Sequence, residues 1–203
     1  MSKFSITLIN VGWGDSIFLE SESESGRRLF GLIDSNDSVN YRSSEIFIKR
    51  HFEILKIDYK KEKPNFEFVI LSHAHNDHAK GLKTIMSSFG TKYFLYPKSA
   101  KLGPHAGLLR FANRSKNVKH HECLDTRKVM NNFGDVKIEI LWPTHDLLDT
   151  NENNNSIVLK LTHGSNIFLL TGDAEEKVWH QIGSQIPKDT SFFKVPHLSL
   201  IHI

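Results

Sequence analysis

Apolar and polar positions along the chain follow two rhythms. Near the start, Lys3-Phe4-Ser5-Ile6-Thr7-Leu8-Ile9 alternates with a period of two, as a strand with one buried face does. Further on, Phe66-Glu67-Phe68-Val69-Ile70-Leu71 is almost continuously apolar, as in a strand covered on both faces. The same reading predicts strands over residues 4–10, 17–21, 28–34, 66–72, 92–96, 136–141, 156–162, 167–171 and 191–195. Helices are predicted over 42–55, 79–88, 107–115 and 174–186. The first helix sets Ile46, Phe47, Phe52 and Ile54 or Leu55 near one face with basic residues between them. Ser23-Glu24-Ser25-Gly26 and His163-Gly164-Ser165-Asn166 read as hairpin turns, and Asn151-Glu152-Asn153-Asn154-Asn155 as a polar loop. Strands alternate with helices and no repeat or linker interrupts them, so the class is α/β and residues 1–197 form a single domain.

The strand over 66–72 runs into His73-Ala74-His75-Asn76-Asp77-His78, four metal-binding side chains within six residues. At the mouth of a strand side chains still alternate, so His73 and His75 point the same way and can chelate one ion. Asp77 and His78 follow where the chain turns into a helix and can reach a second ion. Imidazole and carboxylate suit zinc, manganese or iron, and a pair of such ions activates water against an ester or phosphodiester. A two-metal site needs further carboxylates at strand ends. The apolar run Ile167-Phe168-Leu169-Leu170-Thr171 ends in Gly172-Asp173, which places Asp173 where it can bridge two cations. Leu32-Ile33-Asp34 ends another strand, and Asp34 suits orienting a ligand better than being one. The last apolar strand ends at His197, a candidate ligand of the second ion. His51 sits on a charged helix, His163 in a hairpin turn, His120 and His121 in a polar turn, and His105 and His145 in loops; none is assigned a metal.

Composition narrows the classes. The 203 residues are 39% hydrophobic and 24% charged, enough for a core, and no apolar run approaches the length of a membrane span. Nothing at the start resembles a signal peptide. The single cysteine, Cys123, excludes an internal disulfide framework and fits a reducing cytoplasm. A net charge of +3 is too small to argue for nucleic acid by itself, and Lys60-Lys61-Glu62-Lys63 reads as a solvated loop.

His-x-His-x-Asp-His after a strand, Asp34, Thr171-Gly172-Asp173 and His197 together resemble the metallo-β-lactamase superfamily. Within it the chain is most similar to the hydrolase domain of the ComEC/Rec2 competence proteins and their free-standing relatives. The narrower likeness rests on Asn10-Val11-Gly12-Trp13-Gly14-Asp15-Ser16-Ile17, Leu32-Ile33-Asp34-Ser35 and Asn154-Asn155-Ser156-Ile157-Val158-Leu159. Leu169-Leu170-Thr171-Gly172-Asp173-Ala174-Glu175 and Val195-Pro196-His197 complete it, in the family's order. The resemblance implies a four-layer αββα sandwich with two divalent ions, zinc or manganese, at one edge between the sheets. It implies His73, His75 and Asp173 on the first ion, and Asp77, His78, Asp173 and His197 on the second. Asp15, Asp34, Asn155 and Ser156 would then support that edge without binding the ions. The implied reaction is hydrolysis by a metal-bound hydroxide, with Asp77 and Asp173 as the catalytic carboxylates and DNA phosphodiesters as the substrate of this branch. A carboxylic ester or lactone hydrolase and a non-catalytic metal-binding module are the alternatives.

Three positions depart from the family. Lactamases, glyoxalases and lactonases have a further metal-binding His before the Gly-Asp strand, where this chain reads Asn153-Asn154-Asn155-Ser156, as the ComEC-like branch does. Trp13 stands where that branch usually has Gln, beside Asp15. After Val195-Pro196-His197 the branch continues His-Gly-Ser, whereas this chain ends Leu198-Ser199-Leu200-Ile201-His202-Ile203. Those six residues resemble a translated adapter fragment, so residues 198–203 are expected to be a non-native tail, and His202 is not counted as a ligand.

Overall fold

Among the described residues, ten strands form two sheets and five helices accompany them. The computed structural model describes residues 1–99 and 103–196. The first sheet has six strands in sequential order: β1 (Lys3–Leu8), β2 (Ile17–Glu22), β3 (Arg28–Ile33), β4 (Phe66–Ile70), β5 (Thr91–Tyr96) and β6 (Val118–Cys123). β1, β2 and β3 pair antiparallel, and β3 through β6 run parallel. Each parallel step is bridged by helix: α1 (Ser43–Ile54) before β4, α2 (Asn76–Ala79) and α3 (Leu82–Phe89) before β5, and α4 (Gly103–Arg114) before β6. The second sheet is ordered β10-β9-β8-β7, from β7 (Lys137–Trp142), β8 (Val158–His163), β9 (Asn166–Leu170) and β10 (Phe192–Phe193), and α5 (Glu176–Ile182) follows β9. No helix among the described residues is long and apolar enough to cross a membrane.

The period-two pattern divides each strand between two apolar layers, and this makes the sandwich. On β2 and β4, Phe18, Phe66 and Val69 face a core shared with Ile48 and Phe52 of α1 and with Ile85, Met86 and Phe89 of α3. Their alternating neighbours Ile17, Leu19, Phe68 and Ile70 face the second sheet, meeting Ile138, Leu159, Leu161 and Leu170. On the far side of that sheet, Val158 and Leu169 pack under Val178 and Ile182 of α5. The order of layers is therefore helix, sheet, sheet, helix, as the α/β four-layer expectation requires.

Several local expectations need correction. The helix expected over 79–88 is two pieces, because the Gly81 N–H donates to the Ser35 carbonyl (2.9 Å) instead of continuing α2. The helix expected over 174–186 is shorter, with a 3₁₀ turn after Ile182. His120 and His121 lie on β6, an edge strand with no buried apolar alternation after Val118, and not in a turn. His105 lies on α4 instead of in a loop. The polar stretch at 151–155 contains a 3₁₀ turn (Glu152–Asn155) whose four residues are all buried. The predicted strand over 191–195 is regular only at Phe192–Phe193.

Candidate metal centre

Four chain segments converge at one end of the sandwich, and backbone bonds fix each before any side chain is considered. Past β3, Asp34 takes a left-handed conformation (φ 60°) that turns its carboxylate inward, while its N–H donates to the Ile70 carbonyl (2.9 Å). Past β4, the Ser72 carbonyl accepts from the Ile157 N–H (2.9 Å), stitching the first sheet to the second. Past β9, Gly172 is also left-handed (φ 51°), and a Cβ there would press against Ser156 and Ser72. The loop between β1 and β2 closes over the motif. Gly14 (φ 79°) lies so near the Asp77 carbonyl that any side chain would overlap it.

The side chains form one connected cluster. The Asp34 carboxylate accepts from the Ser72 N–H (2.7 Å) and hydroxyl (2.5 Å) and lies 2.7 Å from Nδ1 of His78. That contact puts a proton on Nδ1 of His78, and Nε2 faces the carboxylates of Asp173 (3.4 Å) and Asp77 (3.8 Å). His73 packs against His78 with ring centroids 4.1 Å apart, and its Nε2 is 3.0 Å from Nδ1 of His75. His73, His78 and Asp173 are buried, and their ligand atoms lie within 4.8 Å of one another, a donor set that fits a divalent ion. Asp15, Asp34 and His78 form a second such group.

The structure thus brings together His73, His75, Asp77, His78 and Asp173. Asp15 approaches the other side of His78 (3.9 Å). The Ser156 hydroxyl accepts from the Asp173 N–H (3.1 Å). Asn155 turns away: its amide exchanges hydrogen bonds with the backbone of Asp149 and braces the 149–155 segment. His197 and the expected tail at 198–203 lie outside the described residues.

Lys194 is the residue that sequence reasoning overlooked. It follows β10, is 3% exposed, and its ammonium donates to the Gly172 carbonyl (3.0 Å), pairs with Asp15 and sits 3.5 Å from Asp173 Oδ1. The available signal was a lone charge inside Phe192-Phe193-Lys194-Val195, immediately before Pro196-His197. Lys194, Asp173, His78, Asp15 and the glycines of the β1–β2 loop line a cleft of about 320 Å³.

The electrostatics of this edge favour cations. Burial opposes a charge on His78, but Asp34 and then Asp173 outweigh it and hold the imidazole well above its usual pKa. His73 is held well below, by burial and by the neighbouring His78. Burial would keep Asp173 protonated, yet its bond to His78 and the charges of His78, His73 and Lys194 push its pKa down. For Asp15 burial dominates over Lys194 and His78, and its pKa is raised.

Comparison with known proteins agrees with this geometry. The model of the metallo-beta-lactamase superfamily matches residues 55–178, more than half of the chain, including the whole histidine motif and Asp173. The chain belongs to the metallo-beta-lactamase superfamily. As a member it is of the metal-dependent hydrolase type. It is 26% identical to ComE operon protein 3 of Bacillus subtilis over 204 residues, covering 97% of this chain and 25% of that protein. It is 30% identical to Recombination protein 2 of Haemophilus influenzae over 111 residues, covering 55% of this chain and 12% of that one. The chain therefore spans about a quarter or less of the length of these relatives. Among solved structures, a metallo-beta-lactamase-like protein of Thermotoga maritima shares the fold at a TM-score of 0.52 and 16% identity, covering 91% of each chain. Zn(2+)-bound PqqB of Methylobacterium extorquens does so at 0.51 and 14%, covering 90% of this chain and 69% of that one.

Proposed function

We propose that this metallo-beta-lactamase superfamily member is a phosphodiesterase acting on DNA, with two divalent ions, zinc or manganese, at the histidine edge. The observation that carries this reading is Lys194, a buried cation among the carboxylates at the floor of the cleft. Asp15, Asp34, Asp77 and Asp173 bring four negative charges and Lys194 one positive. With two divalent ions and the attacking hydroxide these charges cancel, so the four carboxylates no longer repel the single negative charge of a phosphodiester. Similarity to ComE operon protein 3 and Recombination protein 2 supports the same substrate class.

His73 and His75 would hold one ion, His78 and Asp77 the other, and Asp173 would lie between them. When bound, such ions lower the pKa of water and neutralise charge developing on the attacked group. The chain's own part is preorganisation. Asp34 holds Nδ1 of His78, Ser156 holds the backbone of Asp173, and Lys194 ties Asp15 and the Gly172 carbonyl together beside Asp173, so its charge is fixed at the cleft.

The test is cleavage of linear DNA by the purified protein with manganese or zinc, beside Asp173→Ala. Metal-dependent cleavage lost in the variant is the expected result. Hydrolysis of carboxylic esters or lactones without any phosphodiester cleavage would overturn it, as would cleavage retained by Asp173→Ala.

A further inference from the structure

Between Asp77 and Glu122 the chain contains no acidic residue at all. Residues 78–121 carry nine lysines and arginines and no aspartate or glutamate, so this segment holds a charge of +9 while the rest of the chain holds −6. The modest net charge of +3 conceals this segregation. The segment builds α3, α4, β5 and β6, and it begins at His78 itself. α3 follows the metal loop directly, and α4 packs against α2, the turn that carries Asp77 and His78.

On the outer surface Lys83, Gly107, Arg110, Phe111 and Arg114 line a groove of about 370 Å³ between α3 and α4. Arg110 and Arg114 are one helical turn apart, about 6 Å along the axis. Lys83 faces them from α3, its ammonium 6.0 Å from the centre of the Phe111 ring. Lys80, three residues earlier, lines a separate groove with Asp37, Arg42 and Thr84. Among the described residues no carboxylate comes within ion-pair distance of Lys80, Lys83, Arg110 or Arg114, whereas Lys92 in the same segment is paired with Glu67 (2.7 Å). A row of exposed, unneutralised cations on the helices that follow the metal loop repels itself unless a polyanion covers it.

We infer that the groove between α3 and α4 is a track for the phosphate backbone of a nucleic-acid strand whose scissile bond lies at the histidine edge. The surface binds backbone charge and reads no sequence, because its cations are flexible and its floor offers only Phe111 and Gly107. The inference rests on the phosphodiesterase reading for its choice of polyanion, but it concerns binding and can be tested apart from catalysis.

The test uses the protein in chelator, so that no cleavage occurs, and fluorescence anisotropy with labelled single-stranded and duplex DNA across a salt series. The variant is Lys83→Gln/Arg110→Gln/Arg114→Gln. The control, Arg27→Gln/Arg50→Gln/Lys60→Gln, removes the same charge at exposed sites away from the groove. Thermal melts verify that both fold. Loss of three phosphate contacts reduces the slope of log affinity against log salt by about 2.7 for duplex and about 2.1 for a single strand. The expected result is that reduction in the groove variant alone, with hydrolysis of a small phosphodiester by the metal-loaded protein unchanged. Equal effects in both variants, or none in either, would overturn the track. So would unaltered DNA binding accompanied by lost binding to acidic phospholipid vesicles. DNA bound through the groove but never cut would sink the phosphodiesterase reading and leave the track standing.

Discussion

Asp34 is hydrogen-bonded to His78 at the candidate metal edge, and replacing it by asparagine separates its charge from its shape. Asparagine tolerates the left-handed backbone found at this position, so the exchange adds little strain. Its Oδ1 can still accept from the Ser72 N–H. The change falls on the other oxygen, which becomes an NH2 group pointing at the Ser72 hydroxyl and at Nδ1 of His78, now 2.5 and 2.7 Å from the carboxylate. A donor there forces Nδ1 of His78 to accept, and the ring proton moves to Nε2, the nitrogen that faces Asp173 and Asp77. An imidazole with its proton on the ligating nitrogen must change tautomer before it can bind an ion, against the hydrogen bond that now holds it. Loss of such a partner typically costs tenfold to about a hundredfold in metal affinity, or ~1.4–2.8 kcal/mol. Because every bond keeps some partner, stability of the metal-free protein should fall by no more than about 2 kcal/mol. The assay is titration of wild type and Asp34→Asn against a competing chromophoric chelator, alongside urea denaturation without metal. Metal affinity within twofold of wild type, with the variant folded, would refute the tautomer argument.

Two further outcomes follow from particular contacts. Lys194→Met leaves the carboxylate of Asp15 without its buried partner, and breaking such a pair from one side costs about 3–5 kcal/mol. Urea denaturation of the metal-free protein should show that loss, and the double variant Lys194→Met/Asp15→Asn should recover most of it; no recovery would mean the pair is not what Lys194 stabilises. Asp125 lies apart from the metal edge. Desolvation raises its pKa, but hydrogen bonds from His145 and from Arg127 outweigh this and lower it from 3.8 to about 2. A carboxyl depressed in the folded state stabilises the fold above its unfolded pKa, and that contribution disappears as pH falls toward 2. Asp125→Asn should therefore flatten the pH dependence of the melting temperature below about pH 4, and identical pH profiles would exclude the contribution.

The layered architecture was legible in the chain because buried strands advertise themselves. Phe66, Phe68, Val69 and Ile70 could only be covered on both faces, and the histidine motif that follows is contiguous, so its spacing survives without knowledge of the fold. β6 was illegible for the opposite reason. Val118-Lys119-His120-His121-Glu122-Cys123 is an edge strand whose side chains beyond Val118 are at least partly exposed, so no period-two pattern records it. Only parallel pairing with β5 defines it. The helix break at Gly81 depends on the Ser35 carbonyl, 46 positions earlier in the chain, and no local propensity encodes that.

Lys194 shows where local reading ends and topology takes over. In sequence it is a charge within an apolar run, a pattern usually assigned to a sheet edge facing water. In the fold, β10 pairs in parallel with β9, which brings Lys194 alongside the end of β9 with its ammonium reaching Gly172 and Asp173, while the β1–β2 loop delivers Asp15 from the far end of the chain. A buried ammonium is tolerable only because acidic groups from two other segments meet it. The same convergence raises the demand for positive charge at His73, His78 and Asp173. An edge built this way is costly to fold without a cation and improves when one binds, so metal loading and folding are thermodynamically linked. Chelator should then lower the melting temperature of the wild type and do so less in Asp173→Ala. An unchanged melting temperature on chelation would show that the cluster is neutralised from within and has no need of an ion.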